Sequence, residues 1–197
     1  MIYEQTELLD KATELFWQKG FQATSMRDIQ QALDMRPGSL YARFSGKADL
    51  FEKVIGHYAE QILGRLEGVA AHESPLNACR EFMMEELIRP AEKRYQRQCL
   101  LLNALAEHDK LDDGAKDALF QAMQKLHQGF AVVAGGLKNA GVIDAGVPEA
   151  QVGQWLQIQF VGLRNAAFLA QDDSQVTLLI EKLMLDLQGQ WPQQGAV

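Results

Sequence analysis

Apolar residues recur every three or four positions along most of the chain, the spacing that places them on one face of an α-helix. Leu8, Ala12 and Phe16 begin this pattern and predict a first helix. Gly20 suits the left-handed conformation that ends a helix. No segment shows the alternation of apolar and polar residues typical of strands, so we expect an all-α protein with about nine helices.

Two short helices are predicted after Gly20. Ser25 and Asp28 have the spacing of a capping box, which indicates a helix of about two turns. Pro37 suits the first position of the next helix, because the N–H that proline lacks would be unpaired there. Leu40 and Phe44 lie four residues apart and predict its buried face. Two short helices joined by a tight turn, the second polar outside, have helix-turn-helix geometry.

The same segment resembles a known family. The runs GFxATSMRDI (residues 20–29) and GSLYARFSGKADLF (residues 38–51) closely resemble the tetracycline-repressor (TetR) family, with the spacing kept over thirty residues. The chain departs from the family at Asp34, where glycine is usual, and at Arg36, where a serine or threonine cap is usual. We expect Asp34 to tolerate unusual backbone angles and Arg36 to leave the third helix without a side-chain cap.

The resemblance implies a helix-turn-helix DNA-binding domain over residues 1–46 and a helical ligand-binding and dimerisation domain over residues 47–197. It also implies that Thr24 or Ser25 and the first turn of the second helix contact the DNA backbone, and that Tyr41 and Lys47 each contact a phosphate. We expect the exposed face of the third helix to read bases, with Arg36 and Arg43 able to pair with guanine. Ordinary solvated charges, and for Tyr41 an aromatic packed within the small domain, stay open as alternatives. The predicted DNA-binding set is Thr24, Ser25, Arg27, Arg36, Pro37, Gly38, Ser39, Tyr41, Arg43 and Lys47.

Six further helices follow Lys47. Prolines begin two of them, and glycines or loops separate the others. Three glycines lie within the seventh helix and predict a kink or a close backbone contact, with a simple weak spot in the helix as the alternative. The predicted spans are residue 47 to about 68, Pro75 to Pro90, 98–107, about 113–139, Pro148 to Leu169, and Val176 to Leu187.

The last two helices are apolar on more than one face, which predicts a partner chain. In the ninth helix one apolar stripe runs along Ile180, Leu183 and Leu187, while Leu178 and Leu185 lie off it. The family implies a four-helix dimer interface built from this helix pair, and a dimer would bind a near-palindromic operator. We predict interface residues Gly162, Ala166, Leu169, Ile180, Leu183 and Leu187.

A cavity for a small, largely apolar effector among the middle helices is implied by the family resemblance. For each apolar residue of this set, ordinary core packing is the alternative, and His127 is equally explained as a hydrogen-bonded helix residue. Arg164 is a further polar candidate. The predicted lining is Phe82, Met83, Leu102, Asn103, Phe120, Met123, His127 and Phe130.

The formal net charge of −7 does not exclude DNA, because its distribution is uneven. Residues 1–47 are neutral, and residues 35–47 contain Arg36, Arg43 and Lys47 but no acidic residue. A local basic face is therefore predicted within an acidic protein.

Two cysteines, Cys79 and Cys99, are too few for a disulfide framework and lack metal-site spacing, so we expect a reducing compartment and neither metal nor cofactor. The start of the chain carries acids where a signal peptide has bases, and no apolar run approaches the roughly 20 residues of a membrane span. A cytoplasmic protein is expected. Cys99 as a redox sensor is the alternative to a buried structural thiol.

An enzyme is the main rival class. The four histidines form no HExxH motif, and neither a phosphate loop nor a Gly-x-Ser-x-Gly elbow is present in the sequence. We therefore expect a non-enzymatic regulator, most simply a repressor that a small effector releases from its operator. A related protein that acts as an activator or a nucleoid-associated factor, without a ligand, is the second alternative.

Overall fold

The computed structural model describes residues 5–192, and within this range the chain is helical with no strand. Nine α-helices and two short 3₁₀ segments, Ala91–Arg97 and His108–Lys110, make up the described fold. The α-helices are α1 (Gln5–Ala23), α2 (Met26–Leu33), α3 (Pro37–Arg43), α4 (Lys47–Ala71), α5 (Pro75–Leu87), α6 (Leu100–Ala106), α7 (Asp113–Asn139), α8 (Glu149–Leu169) and α9 (Ser174–Leu187).

The predicted all-α class is confirmed, and most helix bounds agree within a few residues. The α5 helix starts at Pro75 as expected, and α8 starts directly after Pro148. The sequence pattern missed the 3₁₀ segment Ala91–Arg97, which follows Pro90 and shortens α6 at its start. A 3₁₀ segment repeats every three residues, and seven mostly polar residues are too few to show that period, so the sequence pattern gave no signal for it.

The chain divides into two compact units. Among the described residues, the N-terminal unit comprises residues 5–61 and 99–124, and the C-terminal unit comprises residues 62–98 and 125–192. Helices α4 and α7 each supply residues to both units. The DNA-binding domain boundary at residue 46 stays a prediction, since these units are defined by packing and not by function.

Aromatic rings form the centre of the N-terminal unit. The Phe51 ring lies 5.0 Å from the Phe16 ring and 4.7 Å from the Phe21 ring, measured between centroids. All three side chains are buried. Trp17 and Tyr58 make an edge contact nearby in α1 and α4. Helix α1 also packs against α2 and α6, so the helix that carries Phe16 and Phe21 contacts the predicted helix-turn-helix segment at α2.

Close helix contacts characterise the C-terminal unit, where α5 packs against α8 and α9 and the latter two pack against each other. A Cβ on Gly136 of α7 would lie 2.5 Å from the Ala70 carbonyl oxygen, and one on Gly153 of α8 would lie 2.7 Å from the Ala131 Cα. The predicted close backbone contact in α7 is therefore confirmed at Gly136. No helix of residues 5–192 is both long and apolar enough to cross a bilayer.

Candidate functional site

Helix α2 begins at a complete capping box. Ser25 is its N-cap: the Asp28 N–H donates to Ser25 Oγ at 3.2 Å, and the Ser25 N–H donates to Asp28 Oδ2 at 2.8 Å. The hydrogen bonds that Asp28 accepts from Lys19 and from Ser25 lower the pKa of its carboxyl well below the ordinary value. Arg27, the second residue of the helix, is exposed. The capping box predicted from sequence is confirmed.

The turn between α2 and α3 is held at Asp34, which adopts the left-handed conformation with φ 51° and ψ 45°. Its N–H donates back to carbonyl groups at the end of α2, as a glycine in this position would. Met35 is buried beneath the turn. Arg36 is the N-cap of α3 and makes no side-chain capping bond, and Pro37 occupies the first turn. Both expectations for the departures from the family pattern are confirmed.

Helix α3 buries one side and exposes the other. Leu40 and Phe44 are buried, as the spacing predicted. Tyr41 has 53% of its surface exposed, which contradicts the alternative of a packed aromatic. A Cβ on Gly38 would meet no neighbour, so the start of the helix is open to close approach. The exposed predicted residues of this region are Arg36, Pro37, Gly38, Ser39, Tyr41 and Arg43.

Two members of the predicted DNA-binding set are directed inward. Thr24 is buried, and its hydroxyl donates to the Gly20 carbonyl oxygen at 2.7 Å. Lys47 is half-buried: its Nζ donates to the Phe21 carbonyl oxygen at 2.9 Å and lies 4.3 Å from the centroid of the Phe21 ring. The structure thus gives both side chains a role in supporting the helix-turn-helix, and of the pair Thr24 and Ser25 only Ser25 is exposed.

The predicted effector-pocket residues fall in both compact units. In the C-terminal unit the rings of Phe82 and Phe130 both contact Phe160, at 5.6 and 5.4 Å between centroids, and Met83 is buried. In the N-terminal unit Leu102, Asn103 and Met123 are half-buried.

Phe120 does not fit the predicted pocket lining. A side chain that lines an enclosed pocket is mostly buried, whereas 65% of the Phe120 surface is exposed. His127 is exposed as well, and its Nδ1 lies 2.9 Å from Gln157 Oε1. The alternative of a hydrogen-bonded helix histidine is the arrangement observed.

Arg164, the further polar candidate, belongs to a buried charge cluster in the C-terminal unit. The Glu86 carboxylate accepts hydrogen bonds from Arg65, Arg89 and Arg164. Arg164 also donates to the carbonyl oxygens of Gln96 and Gln98 at 2.8 and 2.9 Å. Because Arg164 and Glu86 are almost fully buried, each compensates the charge of the other. Helical spacing gives no signal for this pair, since 78 residues separate its members.

At least two pockets are formed by described residues of the C-terminal unit. One, of about 440 Å³, is lined by Trp155 and Trp191, whose rings make an edge contact, together with Asp186 and neighbouring polar residues. The other, of about 230 Å³, is lined by Arg65, Phe82 and residues of α4 and α5. Sequence reasoning did not identify the first, because Trp191 lies beyond the last predicted helix.

The predicted dimer interface is corrected at α9. Ile180, Leu183 and Leu187 are buried within the chain itself, so they cannot contact a partner. The exposed leucines of this helix are on its other side: Leu178, Leu179 and Leu185. On α8 Leu169 is exposed, Ala166 is half-buried, and Gly162 has open space around it, as an interface requires.

Both cysteines, Cys79 and Cys99, are buried free thiols. Burial raises the pKa of the Cys79 thiol to about 12. The arrangement favours structural thiols, and the described residues contain no cluster of three or more His, Cys, Asp or Glu side chains that would hold a metal ion.

Comparison with known proteins finds a family match for the N-terminal segment. Residues 8–54 match the profile described as "Bacterial regulatory proteins, tetR family". The HTH-type transcriptional repressor BdcR of Escherichia coli K12 is 31% identical over 108 residues, which are 52% of this chain and 53% of BdcR. The repressor ComR of the same organism is 34% identical over 87 residues, 44% of this chain and 38% of ComR. The chain thus spans about half the length, or less, of these curated relatives.

Solved structures share the fold over almost the whole chain. The regulatory protein TetR from Rhodobacter sphaeroides has a TM-score of 0.77 at 21% identity and covers 92% of this chain and 96% of its own. A cysteine mutant of CifR, solved with a 26-base-pair operator DNA, has a TM-score of 0.73 at 22% identity. The match covers 98% of this chain and 99% of the CifR chain. Residues 8–54 thus match the TetR family of bacterial regulatory proteins, and the chain shares the fold of solved TetR regulators.

Proposed function

We propose that this protein is a transcriptional repressor that binds a near-palindromic DNA operator through α2 and α3. The exposed face of α3 is the observation that carries the proposal: Arg36, Ser39 and Arg43 are accessible on a short helix whose opposite side is anchored in the core. A helix presented in this way fits a major groove. The names of BdcR and ComR, which describe repressors, support the same function.

Base recognition is assigned to the α3 face. Arg36 and Arg43 have the planar donor groups that pair with a guanine edge. The Ser39 hydroxyl would donate to or accept from the edge of a base in the groove. Gly38 and Pro37 bring no bulky side chain to the start of the helix, which permits close approach to the DNA. This part of the proposal concerns specificity, because only contacts with base edges distinguish sequences directly.

Contacts with the DNA backbone are assigned to Ser25, Arg27 and Tyr41, which are exposed around α2 and α3. Phosphate contacts supply affinity and fix the register of the helix on the duplex. Thr24 and Lys47, whose polar atoms hold the turn before α2, support the surface from within. A protein with this function acts in the compartment that holds the bacterial chromosome, so we place it in the cytoplasm.

A homodimer is proposed to form through the exposed apolar positions of α8 and α9. Ile158, Gly162 and Leu169 follow one face of α8, and Leu178 and Leu185 follow one face of α9. Exposed leucines on adjacent helices are costly to leave in water and are typical of an interface. A two-fold dimer presents two α3 helices, which requires two inverted half-sites in the operator.

Control by a small, largely apolar effector is the last element of the proposed function. The effector would favour a dimer conformation whose α3 helices no longer match successive major grooves, and DNA affinity would fall by the coupling free energy. Phe82, which lines the pocket of about 230 Å³ in the C-terminal unit, supplies apolar surface for such a ligand. A DNA-binding protein without an effector is the alternative, and an enzyme is not proposed.

Selection of bound duplexes from a random pool tests the proposal. We expect wild-type protein to enrich two inverted half-sites, and a variant with Arg36→Ala and Arg43→Ala to enrich no common motif at the same salt concentration. The variant is matched because both arginines are exposed and their removal leaves the core intact. Failure of the wild-type protein to prefer any duplex would contradict the function. Small-molecule titration of the selected complex then distinguishes effector-controlled release from ligand-independent binding.

A further inference from the structure

The end of α1 is interrupted at Gly20. Its backbone, with φ 76° and ψ 168°, leaves the helical conformation, and Phe21 begins a new turn that leads to Ser25, the N-cap of α2. We refer to residues 20–24 as the Gly20 turn. The first N–H groups of such a turn have no acceptor in a preceding helical turn and require a partner from elsewhere.

Glu107 is that partner. The Phe21 N–H donates to Glu107 Oε2 at 2.7 Å, and the Gln22 N–H lies 3.4 Å from both carboxylate oxygens. A carboxylate at the N-terminal end of a helical turn acts as an N-cap and also complements the positive end of the peptide dipoles. Here the cap comes from 86 residues further along the chain, at the C-terminal end of α6.

Space for this carboxylate depends on Gly20 itself. A Cβ at Gly20 would lie 3.2 Å from Glu107 Oε1, and the positive φ is also unfavourable for any other residue. A second contact joins the same segments, since Gln22 Nε2 donates to the Lys110 carbonyl oxygen at 3.2 Å. The glycine and the carboxylate therefore form a matched pair within the N-terminal unit.

The other side of the Gly20 turn is bound to the helix-turn-helix. The Phe21 carbonyl oxygen accepts from Lys47 Nζ, the first residue of α4, and the Thr24 hydroxyl donates to the Gly20 carbonyl oxygen. Thr24 immediately precedes the α2 N-cap. A movement of the Glu107 carboxylate would thus be passed, through a few short hydrogen bonds, to the residue that starts α2.

We propose that Glu107 is a positioning residue for DNA binding: from the end of α6 it caps the Gly20 turn and thereby fixes the start of α2. The inference rests on the proposed DNA-binding function. Glu107 itself need not contact DNA, and as an acidic residue it would be repelled by phosphate. Loss of the cap should lower the DNA affinity, whereas loss of a negative charge alone would raise it. The direction of the change therefore tests the proposal.

The experiment compares three full-length variants on the duplex selected by the wild-type protein. Glu107→Ala removes the cap, Glu107→Gln keeps an acceptor oxygen at the same reach, and Asp109→Asn removes one negative charge from a fully exposed side chain two residues away. We expect Glu107→Ala to weaken DNA binding about 3- to 30-fold, in keeping with the loss of an N-cap. Glu107→Gln should restore part of this loss, and Asp109→Asn should leave the affinity unchanged or slightly higher.

Amide hydrogen exchange of the free protein supplies a readout that needs no DNA. Glu107→Ala should accelerate exchange at Phe21 and Gln22 while the amides of α8 keep their protection. The inference is overturned if the Glu107→Ala affinity stays within twofold of wild type, or if exchange at these two amides is unchanged. If the wild-type protein selects no duplex, the proposed function fails, whereas the exchange result still decides whether Glu107 caps the turn.

Discussion

Helices α3 and α9 use the same construction for different purposes. Each buries one stripe of apolar residues and leaves another face exposed, but the exposed face of α3 is polar and basic, with Arg36 and Arg43, while that of α9 carries Leu178 and Leu185. Charge and hydrogen-bonding groups suit a duplex groove, and exposed leucines suit another apolar surface. The chemistry of the uncovered positions, rather than the helix itself, distinguishes the two faces.

The comparison also explains why one face was predicted correctly and the other was not. Along α3 and its C-cap, Leu40 and Phe44 lie four residues apart and are both buried, so the spacing shows which side faces the core. In α9 leucine or isoleucine occupies both sides, and periodicity does not show which side faces the chain's own core. The interface was therefore predicted on Ile180, Leu183 and Leu187, which the core covers.

The largest expected effect comes from placing charge on the exposed face of α9. Leu178→Lys with Leu185→Lys would bring like charges together across a two-fold interface, which costs several kcal/mol, so we expect dimer dissociation to increase by more than about 100-fold. Sedimentation velocity over a dilution series measures this change. Lys182→Ala on the same helix is the control, because it alters charge without removing a leucine. A double variant that remains as dimeric as wild type would exclude this face as the interface.

Truncation of a leucine on the buried side of α9 tests whether that side packs in the core of the chain itself. Leu183→Ala should lower the free energy of unfolding by about 2–5 kcal/mol, because it leaves a cavity in a packed core. Leu178→Ala, on the same helix but 69% exposed, should change the unfolding free energy of the monomer much less, so both variants are compared at protein concentrations low enough to dissociate the dimer. Urea unfolding of both variants at equal protein concentration is the measurement. Equal losses would show that the two faces are not distinct.

Substitutions on α3 should reduce DNA affinity in two different ways. Arg43→Ala should weaken binding to the selected duplex by about 1–3 kcal/mol and relax specificity at one base position, whereas Tyr41→Phe should weaken binding similarly for all sequences. Fluorescence anisotropy with the selected duplex and single-base variants separates them. If Arg43→Ala weakened every duplex equally, the side chain would contact phosphate and not a base.

The smallest expected effect is at the capping box that starts α2. Hydrogen bonds from Lys19 and Ser25 lower the pKa of Asp28, so its ionised form stabilises the fold at pH values above the ordinary 3.8 and this contribution is lost as the pH falls further. Asp28→Asn should therefore lower the Tm slightly at neutral pH. The difference from wild type should shrink as the solution is acidified. A difference that grew on acidification would contradict the assigned cause.

Local spacing was sufficient for much of the N-terminal segment. The capping box of Ser25 and Asp28, the start of α3 at Pro37 and its buried face depend on residues no more than four positions apart, and a sequence displays such relations directly. Asp34 in the left-handed conformation was likewise foreseeable from its residue type.

Tertiary structure alone decided the features that depend on distant residues. Glu107 caps a turn that lies 86 residues earlier, Arg164 pairs with Glu86 across 78 residues, and the position of α5 against α9 determines which leucines are covered. No period or motif links such partners, because their proximity results from helix packing. The sequence by itself thus determined the helices, the turn chemistry and the basic face, while packing decided which side chains remain available to a partner and which hold the fold together.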